Sequence, residues 1–151
     1  MKENTRVKGF TRIQITDAKT GKVVNDSGWH ENTVVNVGFE QYIVGSIGGV
    51  GSSKQVSFLA IGTGGAPSAT DTTLAGETGV RVGASNSVIS SKTLQCTGQF
   101  SGTAMASTCT IQNVALVNTS SGGTILAGTT YATSQWASNQ NVNATYQLRF
   151  S

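Results

Sequence analysis

The chain has 151 residues, a formal net charge of +3 and a pI of about 9.1, and this length fits one domain. Hydrophobic residues make up 37% of the chain and charged residues only 11%, with Ser, Thr, Asn and Gly in their place. Low charge and many β-branched residues argue against a disordered chain and favour an all-β domain, in which such residues suit pleated surfaces and glycine suits turns.

The first predicted elements form a β-hairpin. Apolar and polar residues alternate from Phe10 to Ile15, which predicts a strand. Asp17 to Gly21 has the composition of a turn, with an aspartate to open it and a glycine to accept a positive φ. A return strand is predicted from Lys22 to about Trp29.

A short amphipathic helix is predicted next, from about Val34 to Ser46. Asn32 or Thr33 is suited to cap its N-terminus, and the cluster of glycines after Gly45 ends it. It is the one substantial helix that the pattern indicates.

The remainder of the chain reads as strands separated by turns, and about eight strands are expected in all. The predicted segments are Val56–Ile61, Val80–Val82, Val88–Ile89, Thr93–Phe100, Cys109–Val117, Thr124–Tyr131 and Val142–Phe150. Many short strands predict an antiparallel β-sandwich of the jelly-roll kind. We expect one such domain over residues 10–151, preceded by a basic N-terminal arm over residues 1–9.

The long loop in AIGTGGAPSATDTTL, residues 60–74, follows a buried strand and is rich in glycine. It lacks the lysine and the glycine spacing of the known phosphate-binding loops, and no βαβ unit surrounds it. We therefore expect a structural connection. Because long loops in compact domains usually have a task, residues 62–76 are predicted to be ordered by a neighbouring subunit.

Catalytic and metal-binding groups are scarce. His30 is the only histidine, and the few carboxylates form no evident pair. Cys96 and Cys109 lack metal-ligand spacing, and they can bridge only if their strands are hairpin neighbours, with free thiols as the default. The sequence therefore predicts no enzyme activity, no cofactor and no metal.

Charge is distributed unevenly along the chain. No Asp, Glu, Lys or Arg occurs from Thr93 to Leu148, which indicates surface covered by neighbouring subunits. The first stretch, in contrast, is basic and predicts either a solvated arm or contact with an acidic surface; no aromatic and basic stripe supports nucleic-acid binding. Its cations are Lys2, Arg6, Lys8, Arg12, Lys19 and Lys22.

Three motifs in this order resemble small structural proteins of tailed bacteriophages. They are NTVVNVG before the helix (residues 32–38), LAIGTG with TDTTL (residues 59–64 and 70–74), and TIQNVAL (residues 110–116), followed by a terminal strand. The resemblance covers most of the chain after about residue 10. It implies a β-sandwich or jelly-roll virion component that acts by packing.

Within that group, the first expectation is a capsid decoration (cement) protein. It would form homotrimers on the outer surface of the head, bind the major capsid protein and stabilise the assembled shell. No signal peptide or membrane-spanning run is visible, so synthesis in the host cytoplasm is expected. The predicted interface residues are Lys2, Arg6, Lys8, Arg12, Gly62, Gly64, Pro67, Asp71 and Trp136.

The alternative is a tail, fibre or head–tail adaptor component that touches host glycan. Trp29, Trp136 and the tyrosines would then form a sugar-stacking face, although both tryptophans are more simply explained as core or interface anchors.

Overall fold

The computed structural model describes residues 6–51, 53–104 and 109–151. Nine strands lie in these ranges: β1 (Val7–Asp17), β2 (Val23–Val34), β3 (Phe58–Gly62), β4 (Glu77–Gly83), β5 (Ser85–Ser90), β6 (Thr93–Ser101), β7 (Cys109–Val117), β8 (Ile125–Trp136) and β9 (Gln140–Phe150). A π-helix (Gly38–Val44), an α-helical turn (Gly45–Ile47) and a 3₁₀ turn (Gly102–Ala104) complete the elements.

The strands form one sheet in the order β4-β3-β7-β8-β2-β1-β9-β6-β5, and every pair is antiparallel. The predicted all-β class with one short helical region is thereby confirmed. The strand order shows a single curled sheet, and the finer prediction of a sandwich or jelly roll remains a prediction.

The curl brings the two ends of the sheet together. Only Ala84 separates β4 from β5, the strands at opposite ends of the order. A Cβ atom at Gly98 in β6 would lie 2.6 Å from Leu59 Cδ1 and 2.9 Å from Val82 Cγ2. The absence of a side chain at Gly98 therefore lets β3 and β4 approach β6.

The main core fills the inside of the curl, because alternate residues of each strand point inward. In β9 the inward set is Val142, Ala144, Tyr146 and Leu148, as the alternation of this segment predicts. Trp136 of β8 meets Phe100 of β6 edge to face, with ring centroids 6.2 Å apart.

A second apolar cluster lies apart from this core. It contains Val35, Ala60, Leu74, Ala115, Val117 and Ile125. Leu74 comes from the long loop, so the loop covers apolar side chains of β3, β7 and the start of β8. Most of β7 and the first half of β8 are buried in consequence, which accounts for part of the uncharged stretch by burial alone.

The hairpin at the start of the chain is confirmed. The amides of Lys19 and Thr20 both donate to Asp17 Oδ1 at 2.9 Å, and Gly21 has a φ of 71°. Beyond it, β2 runs on to Val34, so the predicted helix begins later than expected. Thr33 does not cap a helix because its backbone pairs with Gly128 of β8.

The predicted basic arm over residues 1–9 is too long at its C-terminal end, because β1 begins at Val7. Val7 to Gly9 belong to β1 and pair with β9, for example Val7 with Phe150. Arg6 and Ser151 exchange two backbone hydrogen bonds of 2.9 Å, which extends this pairing to Arg6. Of the predicted interface residues, Lys2 lies outside the described residues.

Candidate functional site

Two of the basic residues predicted as an interface are paired within the chain. Lys8 Nζ lies 3.1 Å from Glu31, and Arg12 forms two hydrogen bonds with Asp26. Both pairs join β1 to β2 on the outer face of the sheet. Arg6 is exposed at the start of β1. The structure therefore places these cations along one strand and neutralises two of them, in place of a free basic arm.

The long loop over residues 62–76 is fastened to the sheet by hydrogen bonds. Asn113 of β7 is fully buried, and its Nδ2 donates to the carbonyl groups of Gly65 (3.1 Å) and Ala75 (2.8 Å). The amides of Thr63 and Gly64 donate to Gly76 and Ala75 on the returning side of the loop. The structure gives no support to a phosphate-binding loop, since no α-helix follows these glycines among the described residues.

The four predicted interface residues of this loop are all buried or half-buried within the chain. Gly62 and Pro67 are buried, and a Cβ at Gly64 would clash with Ala75 at 2.3 Å. Asp71 accepts a hydrogen bond from the Ser68 amide at 2.9 Å and is half-buried.

The expectation that a neighbouring subunit orders the loop stays a prediction, and the loop already has ordering contacts within the chain. The ordering contacts come from β7, from the second apolar cluster, and from the amides of Asn36 and Ile125, which donate to the loop carbonyls of Ala69 and Thr72.

Trp136 is corrected from an interface residue to a core residue. Its side chain is fully buried, and its Nε1 donates to the Gln140 carbonyl at 3.0 Å. Trp29 is 43% exposed and lies on the outer face of the sheet. The Arg149 guanidinium lies 4.2 Å from the centre of the Phe10 ring and 5.9 Å from the centre of the Trp29 ring. Only Trp29 of the two is accessible for stacking on a ligand.

An uncharged polar row continues from this stack across β9 and β6. Arg149 donates to Gln147 Oε1, with Nη2 at 2.7 Å, and Gln147 Nε2 donates to Gln95 Oε1 at 2.9 Å. Further along the same strand pair, Gln99 donates to Asn143 at 2.8 Å. Amide side chains therefore take the place of charges on this face.

The structure shows the surroundings of His30, the only histidine of the chain. His30 Nε2 lies 2.9 Å from the Ser27 carbonyl oxygen. Among the described residues, His30 forms no ion pair with a carboxylate. No group of three His, Cys, Asp or Glu residues in the described ranges could hold a metal ion. Among the described residues, no helix combines the length and the apolar character needed to cross a bilayer.

The strands that carry Cys96 and Cys109 are not hairpin neighbours, so the condition for a bridge between them is not met. β6, which carries Cys96, pairs with β5 and β9, whereas β7 pairs with β3 and β8. Cys96 is a buried free thiol, and burial raises its pKa to about 12. The side chain of Cys109 lies outside the described residues.

A groove of about 440 Å³ lies between the curled sheet and the helical segment, by which we mean the π-helix and the α-helical turn over Gly38–Ile47. Its buried floor is formed by Tyr42, Val56, Leu126 and Leu148. Its walls are formed by Ile43, Ile47, Leu94 and Phe150. This volume falls in the range of roughly 300 to 1,000 Å³ that is usual for ligand pockets.

Polar residues also line this groove. Lys54 lies there with Ser46, Gln55 and Asn86, and its Nζ donates to Thr124 Oγ1 at 3.0 Å. Thr124 Oγ1 in turn donates to Gln41 Oε1 at 2.9 Å. Lys54 is half-buried and has no carboxylate within 4.0 Å among the described residues.

No pattern in the sequence predicted this groove. Its walls come from the helical segment, from the segment before β3 and from the strands β5, β6, β8 and β9, and only the curl of the sheet brings them together. One signal was present: Lys54 is the only charged residue between Glu40 and Asp71.

Comparison of the chain with protein-family models, curated proteins and solved structures gave no match. The likeness to phage structural proteins therefore rests on the short motifs and their order.

Proposed function

We propose that this chain is a non-enzymatic structural protein of a bacteriophage virion, and specifically a capsid decoration protein that binds the assembled head. The observation that carries the proposal is an exposed apolar patch at one end of the sheet. Ile47 is 84% exposed and Val88 is 75% exposed, and Val44, Val50 and Ile89 are also exposed. Contiguous apolar patches on a small domain mark surfaces that are covered by a partner.

The two parts of the patch border depressions that share lining residues. Ile47 and Asn86 line the same groove, and Val88 lines a neighbouring depression together with Leu94 and Phe150, which also belong to the groove. The helical segment and β5 therefore present their apolar side chains at the same end of the sheet.

The uncharged face of β6 and β9 supports the same role. A solvated monomer usually carries mixed charges on such a face, and interface centres are depleted in charge. We propose that the head's major capsid protein covers the apolar patch and that further copies of this chain, arranged as a trimer, meet along the uncharged face.

The test is to add purified protein to heads that lack it, and then to heat the heads or dilute them into low salt. Bound protein should raise the disruption temperature, because a ligand that binds only the assembled shell stabilises that shell. Val88→Lys should abolish this gain. Val23→Lys is the matched control. Val23 is also exposed, at 45%, but it lies beside the turn between β1 and β2 and does not belong to the patch. Heads of equal stability with and without the protein would refute the proposal.

A second candidate role is a tail, fibre or adaptor component with glycan contact, and Trp29 is the observation in its favour. An exposed indole near the exposed Arg149 guanidinium offers a ring face and a charged hydrogen-bond donor, as sugar sites do. Glycan-array binding that is lost in Trp29→Ala, together with label along the tail in electron micrographs, would favour this role over decoration.

A further inference from the structure

We infer that the groove beside Lys54 binds a small amphiphile with one apolar chain and a carboxylate head group, of the fatty-acid class. This inference concerns the free protein and does not depend on the virion role. It rests on the shape of the groove, on the hydrogen bonds already made by its polar groups, and on the charge of Lys54.

The groove suits an apolar chain because its floor reaches core residues. Leu126 and Leu148 are each 2% exposed, yet both line the groove, so the opening reaches the interior between the helical segment and the sheet. Ile47 and Phe150 form its walls. An alkyl chain placed here would leave water for apolar contact, which is the main source of affinity in such sites.

Most polar groups around the groove already have partners. The Tyr42 hydroxyl donates to the Thr124 carbonyl, and burial raises the pKa of this hydroxyl to about 12, so it stays neutral. Ser46 Oγ donates to the Lys54 carbonyl at 3.3 Å, and Asn86 Nδ2 donates to the Val56 carbonyl at 2.7 Å. These groups hold the walls in place and leave few donors for a ligand.

Lys54 is different because its ammonium group has spare donors. It carries three N–H groups and uses one of them, on Thr124. The cations Lys8, Arg12 and Arg81 each have a carboxylate within 4.0 Å, whereas Lys54 has none among the described residues. A half-buried cation without a counterion favours an anionic ligand group.

A single carboxylate fits this arrangement better than other head groups. A phosphate head group is usually met by several cations or by a row of backbone amides, whereas Lys54 is the single cation among the described residues that line this groove. A cationic or neutral head group would leave the ammonium of Lys54 unpaired. The predicted ligand therefore has its chain over Leu148 and its carboxylate on Lys54.

The experiment titrates the full-length chain with dodecanoate, kept below its micelle concentration, and measures binding by calorimetry. Dodecyltrimethylammonium, with the same chain and the opposite charge, is the matched probe. We expect dodecanoate to bind and the cationic probe to bind at least about tenfold more weakly, which corresponds to one charge-assisted hydrogen bond.

Three variants test whether the carboxylate head group binds Lys54. Lys54→Met, which keeps the apolar stem, should weaken dodecanoate binding about tenfold, and Lys54→Arg should retain most of it. Lys92→Met is the control. Lys92 lines the neighbouring depression, which has Leu94 and Phe150 in common with the groove. This variant should leave binding unchanged. Equal thermal unfolding of all variants would show that the fold is intact.

Several results would overturn the inference. Equal binding of the two probes would show adsorption to exposed apolar surface, and unchanged binding in Lys54→Met would place the head group elsewhere. If dodecanoate does not bind the free protein while Lys54→Met abolishes attachment to heads, the groove belongs to the shell protein. Failure of the decoration proposal, in contrast, would show as unchanged head stability and leave dodecanoate binding intact.

Discussion

The carboxylate of Asp26 in β2 accepts two hydrogen bonds from the guanidinium of Arg12 in β1, from Nε at 3.0 Å and from Nη2 at 2.5 Å. The Gly28 amide and the Gln14 side chain also donate to this carboxylate, both at 2.9 Å. These four hydrogen bonds hold the pKa of Asp26 well below its usual range, with Arg12 as the largest cause. The pair therefore joins the strands of the first hairpin and is occupied internally.

Asp26→Asn should consequently lower the free energy of unfolding at neutral pH by about 1 kcal/mol, a value that allows for the partial exposure of both side chains. The folded-state pKa is depressed, so the contribution of Asp26 is present above its unfolded pKa and is lost as the pH falls through the folded pKa. The difference between wild type and variant should therefore shrink in acid. Denaturant unfolding at neutral and acidic pH measures it.

Glu31→Gln is the control for this prediction. Its pair with Lys8 is more exposed on both sides, and surface pairs of this kind contribute little. If Glu31→Gln lowers the free energy of unfolding as much as Asp26→Asn does, the four hydrogen bonds at Asp26 contribute no more than an ordinary surface pair.

Substitution of the two tryptophans should have very different effects on the free energy of unfolding. Trp136→Ala removes a fully buried ring that packs on Phe100, so it should lower the free energy of unfolding by about 3 to 5 kcal/mol. Trp29→Ala removes a half-exposed ring and a long-range contact with Arg149, so it should cost less than about 1 kcal/mol. Chemical denaturation measures both.

This difference decides how a loss of ligand binding is interpreted. Loss in Trp136→Ala would reflect the damaged core, whereas loss in Trp29→Ala with normal unfolding would identify a surface contact. A Trp136→Ala variant as stable as wild type would contradict the packing described for this ring.

The features that the sequence predicted well depend on neighbouring residues. Alternation from Val142 to Phe150 gave the best strand, and Asp17 with Gly21 gave the first turn, because both patterns are read within a few residues. β4 and β5 were found only as short pieces. β5 is exposed along its whole length, so it has no inward and outward alternation to detect.

The features that were missed depend on strand order. Trp136 looked like an interface residue because nothing in its local sequence shows that Phe100 lies against it. Likewise, Lys54, Leu94 and Leu148 are distant in the chain, and only the curl of the sheet places them around one groove. Single-sequence patterns carry no information on such long-range contacts.

Asn113 should control the order of the long loop. Asn113→Ala removes both hydrogen bonds to the Gly65 and Ala75 carbonyls, and it should lower the free energy of unfolding by about 1 to 3 kcal/mol. The local effect should be larger than the global one, because Leu74 would still be buried by the second apolar cluster.

Hydrogen exchange of the Thr63 and Gly64 amides tests this, since these amides bond across the loop. Their exchange should accelerate in Asn113→Ala while that of β9 stays slow. Thr110→Ala, at an exposed position of the same strand, is the control and should leave the exchange of these loop amides unchanged. Uniform acceleration over the whole sheet would show that Asn113 acts on the fold as a unit.

Alkaline pH should destabilise the fold through three buried groups. Burial raises the pKa of Cys96 from 9.0 to about 12 and that of Tyr42 from 10.0 to about 12, and it raises the pKa of Tyr146 well above 10.0. Each group loses its proton in the unfolded chain before it does so in the folded protein. The stability that each contributes is therefore complete below its unfolded pKa and is lost as the pH rises through the folded pKa.

Denaturant midpoints should accordingly be constant to about pH 8 and fall steeply toward about pH 11, with Cys96 responsible for the earliest part of the fall. Cys96→Ala has no thiol to ionise, so its curve should be lower at neutral pH, because of the cavity, but should begin to fall nearer the tyrosine range. Parallel curves for wild type and Cys96→Ala between these two pH values would show that the thiol is not held neutral by burial. A wild-type midpoint that stays level throughout would count against all three groups.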